Sequence, residues 1–408
     1  MRNITIIGAG HAGLQLGIGL RRAGHDVTIV TNRDAKAVQA GRITSSQSMY
    51  AMAVGIERDF GLALWDADCP PIQGMHVRAG LDAERIMVDF RMQMAEGQAV
   101  DQRIKFPRWM EEFQRLGGKL VVEEIDVDGL ERRAAASDLT IVAAGKGEIG
   151  KLFERDTARS TFDKPQRITS LTYVHGMKPR EDFGAININV HPGVGEMVHF
   201  PGLTLSGPCD IINIEAIPGG PLDVWSGVTS PQDHLAKTLE LIRSYFPWEA
   251  HRFADVRLTD DQATLAGPVT PTVRKPIAFL PSGQPVMGIG DVFLLNDPMT
   301  GQGSNNASKC AALYLAEINA RGEAAFDTHW MAALAERAWN ETKWSARLTN
   351  TMLAPPDHVL GILVSAMERP QLADKIAAGF NDPRTMGWYV DPALAGRVIA
   401  ETTVPAAA

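Results

Sequence analysis

Residues 3–31 read NITIIGAGHAGLQLGIGLRRAGHDVTIVT, and this segment is the most informative one for the fold of the chain. The apolar run Ile4–Ile7 predicts a strand, and the glycine-rich turn Gly8–Gly13 follows it. Apolar residues from Leu14 to Leu20 predict a helix that ends near Gly24, and residues 26–31 predict a second strand. Strand, glycine turn, helix and strand in this order form the βαβ unit that binds a dinucleotide.

Each glycine of the turn has a physical role in such a unit. Gly8 allows the tight turn, Gly10 lets the backbone approach a pyrophosphate without an intervening Cβ, and Gly13 packs the helix against the strand. The free N–H groups at the start of the helix favour an anionic ligand. The sequence therefore predicts a bound dinucleotide.

The residue that would hold a ribose in a nicotinamide site is missing. An acidic side chain is expected about 20 positions after the glycines, but the second strand ends in Thr31, Asn32 and Arg33, and Asp34 comes too late. This departure argues against a tight nicotinamide site. A flavin dinucleotide held by other contacts remains compatible with the sequence.

A second glycine cluster follows the apolar strand predicted at Leu139–Ala144 and reads GKGEIGK over residues 145–151. A phosphate-binding P-loop is disfavoured because Leu152 stands where a Ser or Thr hydroxyl would coordinate Mg²⁺. A second nucleotide site is disfavoured because residues 151–166 offer too few apolar positions for a crossover helix. We expect instead that this strand ends beneath the first cofactor, with Ala144 and Gly145 small because something packs on them.

A third segment supplies polar groups that suit a flavin. Residues 285–291 read PVMGIGD, a strand ending in Asp291, and residues 296–307 read NDPMTGQGSNNA before a helix-like run to Glu317. A carboxylate at a strand end can accept hydrogen bonds from a sugar alcohol. A glycine-rich turn that leads into a helix points free N–H groups at an electron-rich carbonyl. The alternative for Asp291 is a helix cap or a turn residue.

These motifs resemble those of the flavoprotein monooxygenases, specifically the two-component styrene and indole monooxygenases. The resemblance rests on GAGHAG, AAGKG, the segment GDVFLLNDPMTGQGSNNA and the interior stretch FDKPQR at 162–167, and it runs through most of the chain. It implies an α/β fold, with a Rossmann-like FAD-binding domain of the hydroxylase type interleaved with a β-sheet substrate domain, plus C-terminal helices. We expect the FAD-binding domain at 1–150 and 277–325, the substrate domain at 151–276 and the helical region at 326–408.

The resemblance also implies roles for individual residues. Pro298 would lie near the reacting carbon of the flavin, and Ser45, Gln47 and Met49 would face the flavin and the substrate. The implied cofactor-binding residues are Gly8, Gly10, His11, Ala12, Gly13, Arg42, Ile125, Ala144, Gly145, Asp291, Gly303, Ser304 and Asn305.

The substrate subgroup is indicated by the stretch after Arg42. Ser45 stands where the styrene enzymes have an asparagine, and the combination of Ser45, Gln47 and Met49 resembles the indole-oxidising subgroup. Ile72 also fits the indole pattern, whereas Met75 and Gly97 depart modestly from it.

The activity that the resemblance implies is an epoxidation with reduced FAD supplied in trans by a separate NADH-dependent flavin reductase. O₂ would add to the flavin carbon C4a to give a hydroperoxide, and its distal oxygen would epoxidise indole, leading to indoxyl and indigo, or a related aromatic alkene. Styrene monooxygenase activity, giving styrene oxide, is the alternative. A nicotinamide-dependent oxidoreductase and a non-catalytic flavin-binding protein remain as more distant alternatives.

Composition narrows the function classes further. The 408 residues are 45% hydrophobic and 22% charged, which excludes a disordered chain, and a net charge of −8 without a basic run disfavours nucleic acid. The three cysteines form no CxxC pair, so neither a disulfide framework nor a dithiol redox centre is expected. Glu196 and His199 lie on a predicted strand and would share no helical face, so no metal is expected. Without a leader or a long apolar run, we expect a cytoplasmic protein that avoids membranes, and a homodimer is the candidate assembly.

The middle and the end of the chain predict the remaining elements. Residues 167–174, 186–190 and 197–200 predict antiparallel strands, and Leu235, Leu239, Ile242 and Phe246 fall on one packing face of a helix. Residues from Phe326 to Leu353 predict a helix that Pro355 and Pro356 end, before another from Val359 to Met367.

Overall fold

The computed structural model describes residues 1–145, 147–179 and 183–402. Lys146 of the second glycine cluster and residues 403–408 of the predicted C-terminal region lie outside these ranges. The strands are β1 Asn3–Ile7, β2 Asp26–Thr31, β3 Ser48–Met49, β4 Ile72–Gly80, β5 Ile86–Ala99, β6 Lys119–Val122, β7 Leu139–Val142, β8 Arg167–His175, β9 Ala185–His191, β10 Gly195–Thr204, β11 Gly207–Ala216, β12 Arg257–Leu258, β13 Thr264–Val269, β14 Thr272–Val273, β15 Ile277–Phe279, β16 Pro285–Gly288 and β17 Leu294–Leu295. The helices are α1 His11–Arg22, α2 Ala35–Gln39, α3 Ala51–Asp59, α4 Gln102–Arg115, α5 Val127–Ala135, α6 Gly147–Lys151, α7 Pro231–Tyr245, α8 Gln302–Arg321, α9 Thr328–Leu353, α10 Asp357–Met367, α11 Pro370–Asn381, α12 Gly387–Val390 and α13 Pro392–Glu401.

The first sheet carries the βαβ unit predicted from the N-terminal sequence. Its strand order in the described part of the chain is β15-β16-β7-β1-β2-β6, and all neighbours pair in parallel except β15 and β16. The carboxyl ends of parallel strands share one edge, where open α/β sheets bind their ligands. The glycine turn after β1, Gly145 after β7 and Asp291 after β16 therefore reach the same edge of this sheet.

The second sheet has the order β12-β8-β11-β10-β9-β4-β5-β3 among the described residues, and β13 also pairs with β8. The antiparallel strands predicted between residues 167 and 200 are present, while β4 pairs with β9 in parallel. Three of its strands, β3, β4 and β5, come from residues 48–99, which the sequence analysis placed with the FAD-binding domain. They belong to the second sheet because the β4–β5 hairpin pairs with β9 and buries Val88, Phe90 and Met92. The predicted domain bounds stay a prediction.

The two faces of the second sheet have different neighbours because successive side chains of a strand point to opposite sides. On one face, Ser170 and Thr172 contact helix α7, with Ser170 Oγ 2.8 Å from His234 Nε2. The four predicted apolar residues of α7 pack there. On the opposite face, Leu171 and Tyr173 share a core with helices α10 and α11.

The C-terminal helices close the structure over the start of helix α8. Helix α9 begins after the capping residue Asp327, ends at Leu353 before the two prolines, and is followed by α10, as predicted. The hydroxyls of Thr349 on α9 and Thr300 lie 2.5 Å apart, which ties α9 to the turn before α8. Within the described residues, no helix is both long and apolar enough to cross a bilayer.

Candidate active site

The glycine turn between β1 and α1 has the geometry of a pyrophosphate cradle. Gly8 has a φ of +112°, a conformation that favours glycine. A Cβ on Gly13 would collide with the carbonyl oxygen of Gly8, whereas a Cβ on Gly10 would meet no atom within 4 Å. Gly13 thus serves the packing of the helix, and Gly10 leaves open space at the N-terminus of α1, where an anion is favoured.

The ends of β7 and β16 complete this edge of the sheet. A Cβ on Gly8 would lie 2.9 Å from the backbone nitrogen of Ala144, and one on Gly145 would lie 3.5 Å from the carbonyl carbon of Asp291. Asp291 is exposed. Ala144 therefore packs closely against Gly8, whereas a Cβ on Gly145 would fit at ordinary contact distance, and the roles expected for both residues stay predictions. A Cβ on Gly290 would lie 3.2 Å from that of Ala12, so α1 meets the same edge.

Two of the predicted cofactor residues lie further out. Ile125 follows β6 and packs, partly buried, against the cluster that contains Ile7 and Val142. Arg42 is exposed on the segment after α2. Burial and the charge of Arg42 lower the pKa of His234 to about 4, so the structure places Arg42 on the side of helix α7.

The N-terminus of α8 forms the second half of the cradle. Gly301 precedes the helix with a φ of +64°, and a Cβ there would collide with the hydroxyl of Ser48. Gly303 and Ser304 occupy the first turn, whose N–H groups have no partner within the helix, and a Cβ on Gly303 would meet open space. These groups can donate hydrogen bonds to a carbonyl of a bound ring.

Asn305 joins the two predicted groups of site residues. Its Oδ1 accepts a hydrogen bond from the N–H of Tyr50 at 2.8 Å, and its Nδ2 donates to the carbonyl of Ser48 at 3.1 Å. The hydroxyl of Tyr50 donates to the carbonyl of Thr300 at 2.9 Å. The segment that carries Ser45, Gln47 and Met49 is therefore fixed to the turn before α8.

The conformation of this segment is itself unusual. Gln47 is buried and has a φ of +66°, which is costly for a residue with a side chain and is often found at functional sites. Its N–H donates to Ser45 Oγ at 3.2 Å, and the hydroxyl of Tyr173 donates to the carbonyl of Ser45 at 2.7 Å. Strand β8 thus holds the segment from the substrate side.

The turn that contains Pro298 lies beside buried acidic groups. Pro298 is half-buried and begins a 3-10 turn, and Asp297 Oδ1 caps this turn by accepting a hydrogen bond from the N–H of Met299 at 3.0 Å. Burial raises the pKa of Asp297 to about 6. Burial and the neighbouring Asp297 raise the pKa of Glu215 well above its ordinary value.

One buried ionic cluster was missed by the sequence analysis. Lys105 Nζ lies 2.7 Å from Glu57 Oε1, and His11 Nε2 lies 3.2 Å from the same oxygen. Lys105 also donates to the sulfur of Met49 at 3.3 Å, so the side chain of Met49 points into this cluster. Burial opposes ionisation of Glu57, but Lys105 and His11 outweigh it and hold its pKa below the ordinary value. No sequence motif could have found this cluster, because its members are distant in the chain.

Glu196 and His199, which the sequence analysis weighed as metal ligands, both contact other charged side chains. Glu196 forms an ion pair with Arg167 at 2.7 Å, and His199 lies 3.4 Å from Glu249. Over residues 1–145, 147–179 and 183–402, no group of three His, Cys, Asp or Glu side chains is arranged to hold a metal ion.

The parallel sheet, the glycine turn on α1 and the second glycine-rich turn on α8 define a flavin-dinucleotide-binding fold joined to a substrate domain. Known proteins carry the same combination. The chain is 29% identical over 391 residues, 94% of its length and 93% of its relative's, to styrene monooxygenase StyA of Pseudomonas fluorescens. Residues 145–252 match the family "Styrene monooxygenase A putative substrate binding domain".

Solved structures show the same fold. The flavin-dependent brominase Bmp2 superposes with a TM-score of 0.70 at 17% identity, covering 98% of each chain. The p-nitrophenol 4-monooxygenase PnpA of Pseudomonas putida DLL-E4 superposes with a TM-score of 0.67 at 15% identity, covering 94% of this chain and 98% of the other. The chain is a StyA-like flavoprotein monooxygenase with a flavin cofactor.

Proposed function

We propose that the chain is the oxygenase component of a two-component system, which accepts reduced FAD from a separate NADH-dependent flavin reductase and epoxidises indole or a related aromatic alkene. The observation that carries this proposal is the bridge formed by Asn305. It fixes the segment with Ser45 and Gln47 to the turn with Pro298, so that the two groups implied to face the flavin share one site.

The side chains and backbone groups have distinct tasks in this proposal. The start of α1 at Gly10 holds the pyrophosphate, Asp291 accepts hydrogen bonds from sugar hydroxyls, and the first turn of α8 donates to the ring. Bound FAD, once reduced, supplies the activated oxygen that is transferred to the substrate. The buried segment at Gln47 and the face of β8 exclude water and orient the apolar substrate.

The preference for indole rests on the residues at the segment after Arg42. Ser45, Gln47 and Met49 match the indole pattern, which supports indole as the substrate. Styrene is the second candidate, because the relatives that align over 94% of the chain are named styrene monooxygenases.

The homodimer and the cytoplasmic location stay predictions.

The test combines the purified protein with FAD, NADH, an NADH-dependent flavin reductase, air and either indole or styrene. Indigo formation with little styrene oxide is the expected result, and chromatography measures both products. A reaction without the reductase is the control, and it should yield neither product. An excess of styrene oxide would favour the second candidate. If reduced FAD is reoxidised with release of hydrogen peroxide and neither product forms, the proposal is contradicted.

A further inference from the structure

One face of the second sheet lies between the two loops implied to border the flavin. This is the face of β8 and β11 that points away from helix α7. The residue pairs on it are Thr169 with Glu215, Leu171 with Asn213, and Tyr173 with Ile211. Half of these side chains are apolar, and Asn213 and Glu215 form a polar strip that is 3% and 0% exposed, respectively.

A hydrogen bond at one end and an electrostatic interaction at the other locate this strip. At one end, the hydroxyl of Tyr173 donates to the carbonyl of Ser45 at 2.7 Å. At the other end, Asp297 acts electrostatically on Glu215, and Asp297 directly precedes Pro298. Asn213 therefore lies on the sheet face between the Ser45 segment and the Pro298 turn, where a substrate of the flavin would bind.

The hydrogen bonds of the strip are incomplete. Glu215 accepts from Thr169 Oγ1 at 2.6 Å and from Asn213 Nδ2 at 2.7 Å, so both of its oxygens are engaged. Asn213 Oδ1 and Asp297 Oδ2 are buried, and neither has a hydrogen-bond partner among the described residues. A buried acceptor without a donor costs about 1–3 kcal/mol, and a ligand that supplies the donor removes this cost. Other buried side-chain atoms also lack a partner, but these two acceptors lie at the face between the Ser45 segment and the Pro298 turn.

We propose that Asn213 and Asp297 form a subsite that accepts a hydrogen bond from the N–H group of a heteroaromatic substrate such as indole. This inference rests on the proposed function and names the feature of the substrate that its site selects. A hydrocarbon alkene of the same shape would leave both acceptors unpaired in a dry pocket. A site built to bind a polar group rejects the analogue that lacks it.

The charges around the subsite are compatible with an apolar ring. Burial and the neighbouring Asp297 raise the pKa of Glu215, and burial raises the pKa of Asp297, whose nearby Glu196 acts in the same direction. Arg167 lies close to both and is held by Glu196 at 2.7 Å and 2.8 Å. The strip therefore offers hydrogen-bond acceptors without a large uncompensated charge.

The experiment compares indole with indene, in which a CH₂ group replaces the N–H. The measured quantity is kcat/KM for the oxygen-dependent loss of each substrate in the reconstituted system. The native protein should prefer indole. Asn213→Leu and Asp297→Asn should each lower the indole-to-indene ratio, by up to about tenfold, because the two acceptors share the one hydrogen bond that indole can donate. Thr172→Val is the matched control, because Thr172 lies on β8 but faces α7, and its ratio should equal that of the native protein.

A second measurement decides the inference without turnover. Calorimetric titration of the FAD-saturated native protein with indole and with 1-methylindole, which lacks the N–H, should show weaker binding of 1-methylindole. Equal affinities, or ratios that both variants leave unchanged, would overturn the subsite. If neither indole nor indene is oxidised, the proposed function fails, but the calorimetry still decides whether an N–H is recognised. If Asn213→Leu does not fold, the kinetics of Asp297→Asn and the calorimetric titrations of the native protein still test the subsite.

Discussion

Asn305 and Tyr50 are separated by 255 residues in sequence, yet the Oδ1 of Asn305 accepts the N–H of Tyr50 at 2.8 Å. The same amide donates to the carbonyls of Ser48 at 3.1 Å and Gly301 at 2.8 Å. One side chain thus satisfies backbone groups of two loops that face the candidate flavin site. The relative position of these loops depends on it.

Asn305→Ala should separate the two loops. It leaves the N–H of Tyr50 and the carbonyl of Ser48 without their partners, so we expect a loss of about 2–3 kcal/mol in the free energy of unfolding, together with weaker FAD binding. Denaturant unfolding and a flavin titration measure these effects. Asn319→Ala on the same helix, whose side chain is at the surface beside His25, should change stability by less than about 0.5 kcal/mol. Equal stabilities of the two variants would contradict the bridge.

Two glycines of the first turn should respond differently to a methyl group. Gly13→Ala should prevent folding or destabilise the protein by about 3 kcal/mol or more, because its Cβ collides with the backbone of Gly8. Gly10→Ala should leave the melting temperature nearly unchanged, because its Cβ meets open space, but it should weaken FAD binding. Thermal unfolding and FAD titration separate the two roles. Normal FAD affinity in Gly10→Ala would mean that the pyrophosphate lies elsewhere.

Glu57→Gln should lower the free energy of unfolding, because it breaks the buried ionic cluster. The substitution leaves the ammonium of Lys105 without its carboxylate, which typically costs about 3–5 kcal/mol. The double variant Glu57→Gln with Lys105→Met should regain much of this loss. Denaturant unfolding at pH 7 provides the comparison, and a double variant no more stable than the single one would contradict the pairing.

The same cluster predicts a pH dependence. The pKa of Glu57 is lower in the folded protein than in the unfolded chain, so its ionisation stabilises the fold above the unfolded-state pKa. This stabilisation is lost as the pH falls towards and below the folded pKa. The native protein should therefore lose more stability between pH 7 and acid than Glu57→Gln does. If both proteins lose the same stability between pH 7 and acid, Glu57 does not contribute to acid unfolding.

Asp291→Ala should weaken FAD binding without unfolding the protein. Asp291 is exposed beside Gly145, so its loss removes a predicted acceptor for the sugar and little packing. We expect the Kd for FAD to rise about tenfold, equivalent to one charged hydrogen bond. Asp59→Ala, at the exposed end of α3, removes the same charge away from the site and serves as the control. An unaltered titration would count against this role.

Ser45→Asn should shift the substrate preference from indole towards styrene, because it introduces the residue of the styrene pattern. The ratio of kcat/KM for indole and styrene in the reconstituted system measures the shift. Ser45→Ala removes the hydroxyl that accepts the N–H of Gln47 at 3.2 Å without adding an amide, so it separates loss of the hydroxyl from the new side chain. If kcat/KM is unchanged for both substrates, the predicted role of Ser45 in the substrate site is wrong.

Local patterns were sufficient for the elements whose signals are close together in the chain. The glycine turn, β1, α1, β2 and the helices around Pro355 and Pro356 follow from periodicity, glycine and proline, which act on neighbouring residues. The hairpin of β4 and β5 could not be assigned to its sheet in this way. Its partner strand β9 begins more than 80 residues after β5, and pairing over that distance leaves no local trace.

The glycine motifs alone predict a dinucleotide cradle with glycines at Gly8 and Gly13 and a second glycine-rich turn before α8, because the backbone at these points tolerates little else. Which side chains meet around that cradle depends on long-range packing. The bridge of Asn305, the ionic cluster at Glu57 and the polar strip at Asn213 each join distant segments. Such contacts depend on how the sheets and helices pack, which residue spacing does not encode.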